Sequence, residues 1–174
     1  MRTDTLGQSG YSRFQAISLV TLRMLIGWHF LYEGLAKLTN PYWTSAGYLD
    51  ASQWWFSGIF RDIAANPTAV TIVDYVNMWG LTLIGAALLL GLATRTATIA
   101  GFVLLLLYCV AVPPFVGYVY PMPTEGSYLV VNKVLIEAGA MLLLFAFPTG
   151  QVIGLDRIIA ARRRPAGPAV QASA

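Results

Sequence analysis

Residues 16–37 read AISLVTLRMLIGWHFLYEGLAK, and the fold turns on how this stretch is read. Roughly 22 residues make a helix of about 33 Å, enough to cross a bilayer. Yet Arg23, His29, Glu33 and Lys37 interrupt it. At about 100° per residue these four fall within an arc of about 120°, and the remainder is Leu, Ile, Val, Met, Trp and Phe. A charge at the centre of a membrane helix costs roughly 2.5–3.5 kcal/mol, against about 0.3–0.6 kcal/mol returned by each large apolar residue. The stripe therefore needs partners on other helices or in a wet cavity, and the rest of the chain is expected to supply them.

The composition agrees. Of 174 residues, 57% are hydrophobic and 11% charged; soluble domains average about 45–50% and about 25%. The chain reads as an all-α membrane protein of one domain, an antiparallel four-transmembrane-helix bundle. The single cysteine, Cys109, lies in an apolar run and has no intrachain partner. One histidine and no Cys/His cluster argue against a metal site. The net charge of +3 gathers at the C-terminus, which suits anionic lipid rather than nucleic acid.

The expected spans are about 16–37, 69–93, 97–112 and 129–147, all within a membrane domain over 16–147. Residues 1–15 and the basic tail 148–174 flank it on the cytoplasmic side. The first stretch exceeds a signal-peptide core and is read as an uncleaved anchor. The 38–69 loop carries Trp54, Trp55, Phe56, Ile59 and Phe60, with Asp50 or Ser52 expected to cap a helix running to about Ala65 and lying on the interface. Thr68 is the expected cap of the second span. Gly80, Gly85 and the Ala87/Gly91 pair offer close approach between helices. Thr94-Arg95-Thr96 reads as a tight turn. The third span, without charge, is expected to face lipid or fill space. Pro113 and Pro114 end it, and the Pro- and Tyr-rich 113–128 loop follows. Asp156 reads as the cap of a short amphipathic tail ending in Arg162, Arg163 and Arg164.

Lys and Arg set the orientation. The N-terminus, the 94–96 turn and the C-terminus hold Arg2, Arg13, Arg95, Arg157 and Arg162 to Arg164, whereas the two long loops hold Arg61. Both termini are then cytoplasmic, in the inner membrane of a bacterium, and the aromatic loops face outward. In that arrangement Glu33, Lys37, Asp74, Asn77, Asn132, Lys133 and Glu137 share a depth near the outer surface, with His29 about a turn deeper and Arg23 deeper still.

Arg23, Gly27, Phe30, Gly34 and Lys37 in the first span, LLLGLATR at 88–95 and FPTGQVIGLD at 147–156 resemble the DoxX family, in order and over roughly 16–157. The resemblance implies four membrane helices. It also implies an association with redox proteins, since the family takes its name from small membrane subunits of a thiosulfate:quinone oxidoreductase. The long 38–69 loop, the elaborate 113–128 loop and the lack of a cofactor-binding motif depart from direct transfer of that activity.

Two readings of the polar groups follow. Buried ion pairs fix which helix faces which; or ionisable groups inside a membrane mark a substrate or proton path. On the second, His29, Glu33, Asp74 and Glu137 relay protons, with Glu33 four residues from His29 and placed to hold its proton. Arg23, Lys37, Asn77, Tyr128, Asn132 and Lys133 would then hold a quinone head, in a pocket between spans one, two and four. Lys133 and Glu137, four apart, are expected to pair, and Glu33 to meet Lys37 or Lys133. A soluble redox protein at the outer face and an oligomer are possible partners. The other function class is a non-catalytic anchor or assembly partner.

Overall fold

The computed structural model describes residues 11–122 and 129–163. The described residues form helices α1 (Arg13–Thr39), α2 (Ala46–Asp50), α3 (Ser57–Ala65), α4 (Pro67–Leu90), α5 (Thr94–Ala111), α6 (Lys133–Ala146) and α7 (Leu155–Arg163), with a 3-10 turn at Thr149–Gln151. α1, α4 and α5 are long and apolar enough to cross a membrane. α6, with 14 residues, spans only ~21 Å as a helix. Its expected start at residue 129 moves to Lys133, because Leu129 has φ 65° and Asn132 caps the helix, its Oδ1 accepting from the Leu135 N–H at 2.9 Å. Asn132 is thus a capping residue.

α1 begins at a reciprocal cap: the Ser12 hydroxyl accepts from the Gln15 N–H at 3.2 Å, and Gln15 Oε1 accepts from the Ser12 N–H at 2.9 Å. α4 starts two residues before the expected span. Asn66, not Thr68, caps it, accepting from the N–H groups of Thr68 and Ala69 at 3.0 and 3.2 Å. Pro67 supplies the first helical residue, where a missing N–H costs nothing. α1 and α4 pack closely along their length. A Cβ on Gly85 would lie 2.7 Å from the Gly27 carbonyl oxygen and as close to Leu31 Cα. Gly80, by contrast, faces open space.

α5 packs along α6, α4 touches α5 more lightly, and the α1/α6 seam is sparse. Phe30, Leu81, Ile84, Leu88, Leu105, Ala138, Met141 and Leu144 fill the centre. The third span therefore contributes Leu105 to the core as well as facing outward with Ile99, Val103 and Leu107. Exposed Leu25, Trp28, Ile72, Val76, Leu83 and Ile136 extend that outward surface into an apolar belt that suits lipid.

At one end the chain closes on itself. Residues 94–96 are the first turn of α5 instead of a tight turn. Asp156 is not the cap of the tail: it lies within α7 and accepts from Ala93 N–H at 2.7 Å, Thr94 N–H at 3.1 Å and the Thr94 hydroxyl at 2.9 Å. It thereby caps α5, whose own sequence supplies no capping side chain. Gly91, at φ 65°, ends α4 and lies so close to Gly154 that a Cβ would come within 2.6 Å of the latter's Cα.

At the other end the segment between α1 and α4 meets the one that follows α5. The expected helix from Asp50 or Ser52 to Ala65 is broken: Asp50 ends α2, and α3 starts at Ser57. Trp54 and Trp55 fall between the two, stacked at 5.2 Å, and Trp54 also meets Phe115 of the second loop at 5.4 Å. Gln53 Nε2 donates to the Val119 carbonyl at 2.7 Å, and Tyr48 Oη to the Tyr108 carbonyl at 2.9 Å. Burial pushes the Tyr48 phenol well above its usual value, so it remains a donor.

Candidate functional site

The polar stripe of α1 divides among separate partners. Arg23, 2% exposed, turns toward the closed end, where Nη1 donates to the Thr149 hydroxyl at 3.2 Å. It is a pin between α1 and the segment after α6 and does not line the cavity that holds His29, against the expectation that it helps hold a quinone. The reason is directional: Arg23 sits ~9 Å below His29 along α1, and a helical side chain leans toward the N-terminus.

His29 crosses to α6. Its Nδ1 lies 2.8 Å from Glu137 Oε1, with the Glu137 side chain 12% exposed and that of His29 39%. The expectation that Glu33 holds the His29 proton is therefore replaced: the partner comes from another helix, across the sparse seam. Glu33 instead pairs with Lys37 at 3.3 Å, and Lys37 Nζ stands 5.4 Å from the Trp43 ring centre, a cation–π arrangement.

Asp74 is occupied elsewhere. Its Oδ1 accepts from the Ser45 N–H at 2.7 Å, tethering the loop after α1 to α4. Asn77 is buried and reaches α5, where Nδ2 donates to Tyr108 Oη at 2.7 Å. Tyr128 lies outside the described residues.

What the helices do bring together is a cavity of about 170 Å³, lined by His29, Phe30, Glu33, Lys37, Leu81, Leu105, Tyr108, Lys133, Val134 and Glu137. It lies where α1, α5 and α6 meet, with α4 contributing Leu81. The expected pocket between spans one, two and four thus shifts to the α5 side, keeping His29, Glu33, Lys37, Lys133 and Glu137 and losing Asp74 and Asn77 from its wall. The shift follows from helix order: α6 packs on α5, so α4 is screened from it. Tyr108 is the lining residue the sequence did not single out. A tyrosine in the last turn of an uncharged span reads as an interface residue, and only its spacing from Leu105 places it on the core face.

An empty cavity of about 150 Å³ holds benzene, so this space suits one six-membered ring. Apolar walls from Phe30, Leu81, Leu105 and Val134 stand beside His29, Glu33, Lys37, Tyr108, Lys133 and Glu137, a mix of apolar surface and convergent polar groups that suits a small-molecule site. Among the described residues no group of three or more His, Cys, Asp or Glu could hold a metal ion.

No curated protein and no solved structure matches the chain. A family model, DoxX, matches residues 18–114. That match covers more than half of the sequence and takes in most of α1, the segment between α1 and α4, and all of α4 and α5, and the chain belongs to the DoxX family.

Proposed function

We propose that this protein is a membrane subunit of an oxidoreductase system, binding a quinone head in the α1/α5/α6 cleft. The observation that carries the reading is the His29–Glu137 pair at 2.8 Å, set into a ring-sized cavity whose apolar walls are Phe30, Leu81, Leu105 and Val134 and whose other polar groups are Glu33, Lys37, Tyr108 and Lys133. Quinone reduction to quinol takes two electrons and two protons. Electrons come from a partner at the outer face. Protons pass through Glu137 and His29, because an imidazole held by a carboxylate takes a proton on one nitrogen and releases it from the other. Glu33 and Lys37 sit at the cleft mouth toward the outer loops. In this account α6 is the fourth crossing, extended by the residues around it, both termini are cytoplasmic and the membrane is a bacterial inner membrane.

The test is the binding of a tritiated short-chain quinone to the purified chain in nanodiscs. Saturable binding that falls at least tenfold in His29→Ala supports the reading; no saturable binding by the wild type overturns it. The second reading, a non-catalytic anchor for a redox or envelope protein, is favoured by the outer surface: Tyr42, Trp55, Val116 and Val119 are 91%, 85%, 68% and 83% exposed. Co-purification of one soluble protein, lost on replacing Trp55, together with no quinone binding, would select it.

A further inference from the structure

The closed end of the bundle presents apolar surface and positive charge side by side. On α7, Leu155, Ile158 and Ile159 are exposed, Ile158 by 51%, and Ile153 just before the helix is exposed by 53%. At about 100° per residue the three helical positions fall within an arc of about 100°. Asp156 lies outside that arc and turns to α5, where Thr94 donates to it. α7 packs chiefly on the 3-10 turn that precedes it, so the arc is left open. Four exposed arginines gather at the same end: Arg13 opens α1, Arg95 lies in the first turn of α5, and Arg157 and Arg162 are on α7. Buried Arg23 stands behind them. Among the described residues the carboxylate at this end is Asp156, and its two oxygens already accept from Ala93 and Thr94. Arg157 gives Nη1 to the Val152 carbonyl at 3.2 Å and keeps its charge and its other donors. The surface is therefore strongly positive.

The level of α7 is fixed by what it is tied to. α1, α4 and α5 are long and apolar enough to cross a membrane, and the start of α5 and the end of α4 both meet the 149–163 segment here. Spanning helices end where the headgroups begin. The Asp156 hydrogen bonds and the close Gly91–Gly154 approach hold α7 at that level. A nine-residue helix placed there meets acyl chains with its apolar arc and lipid phosphates with its arginines. Arg162 falls within the apolar arc, and its long stem lets the guanidinium reach out to the headgroups. The guanidinium fork matches phosphate oxygens in pairs.

We propose that α7 is an interfacial helix that docks on anionic phospholipid, with Leu155, Ile158 and Ile159 entering the headgroup boundary and Arg13, Arg95, Arg157 and Arg162 taking the lipid phosphates. Asp156 is the tether that keeps the helix at that depth. The proposal is independent of the quinone reading, because none of these residues lines the cleft.

The test uses the full chain with Cys109→Ser and one spin-labelled cysteine, Ile158→Cys on the apolar arc or Ala160→Cys facing away from it. Both positions are exposed. The chain is placed in nanodiscs of phosphatidylcholine, alone or with added phosphatidylglycerol. Power-saturation electron paramagnetic resonance compares relaxation by oxygen, which concentrates in the bilayer, with relaxation by a nickel chelate, which stays in water. In the anionic discs the label at 158 should favour oxygen and the label at 160 the nickel chelate, and the contrast should shrink in phosphatidylcholine alone. One arginine near an anionic surface is worth roughly fivefold in binding, so Arg162→Gln should lower the docked-to-undocked ratio at 158 by about that factor in the anionic discs. Equal nickel access at 158 and 160 would overturn the proposal. So would a contrast that phosphatidylglycerol and Arg162→Gln leave unchanged. Shielding of 158 from oxygen and nickel alike would place a protein surface on the arc and overturn it too.

Discussion

Breaking the His29–Glu137 pair should cost stability asymmetrically, because the two partners differ in exposure. Glu137 has a side chain 12% exposed and His29 one 39% exposed, at 2.8 Å. Loss of one partner of a fully buried pair costs about 3–5 kcal/mol, and of an exposed pair about 0–1 kcal/mol. His29→Leu strands the nearly buried carboxylate and should fall in between, at about 2–3 kcal/mol. Glu137→Gln leaves an imidazole that still reaches solvent and an amide that still accepts, and should cost about 1 kcal/mol. At roughly 2–4 °C per kcal/mol for a chain of this size, the melting shifts are ~4–12 °C and ~2–4 °C. The assay is thermal melting in a fixed detergent, closed as a double-mutant cycle. The double variant should be no less stable than His29→Leu, since the stranded charge is gone. Additivity of the two single losses within about 0.5 kcal/mol would refute the pairing.

Glu33→Gln should lower stability by about 1–2 kcal/mol in the same melting assay, because the carboxylate is itself 46% exposed but its i,i+4 partner Lys37, 17% exposed, is left without its counter-charge. Asp156→Ala should cost about 1–3 kcal/mol and expose the 149–163 segment to protease, since three hydrogen bonds to the start of α5 are lost together. Gly85→Leu should abolish a stable bundle by forcing α1 from α4, whereas Gly80→Ala should melt within about 0.5 kcal/mol of the wild type. Reporter fusions at Ala174 and Gly47 should read opposite compartments.

How far the sequence reached depends on whether a residue's partner was local. The long apolar helices were legible because length and hydropathy decide them within one segment. The i,i+4 pair Glu33–Lys37 was legible for the same reason. The partner of His29 was not, because Glu33 four residues away and Glu137 more than a hundred away look equally suitable until α6 is placed against α1. Asp156 shows this most plainly. As a sequence it begins a helix, and it does lie in the first turn of α7; its oxygens serve α5, brought there by the Gly91–Gly154 contact. Asp74, read as part of a relay, is tied to the Ser45 N–H of a loop whose path no pattern revealed.

The same geometry explains why family and activity part company. Arg23 of the first motif, Gly91 and Thr94 of the second, and Thr149, Gly150, Gly154 and Asp156 of the third meet at the closed end of the bundle. A Cβ on Gly150 would come 2.7 Å from Thr94 Oγ1. These residues identify the chain by building its joint. The cleft, at the other end, takes Phe30 and Lys37 from the first motif, while His29, Tyr108, Lys133 and Glu137 lie outside the motifs.

The most direct measurement of the central claim is photolabelling of the wild-type chain in nanodiscs with an azido-quinone, followed by peptide mass spectrometry. The account predicts label on peptides containing His29, Tyr108 or Glu137, competed away by unlabelled quinone. Label spread over the lipid-facing surface around Trp28, Val76 and Leu83 and unaffected by competitor, or no label at all, would contradict it.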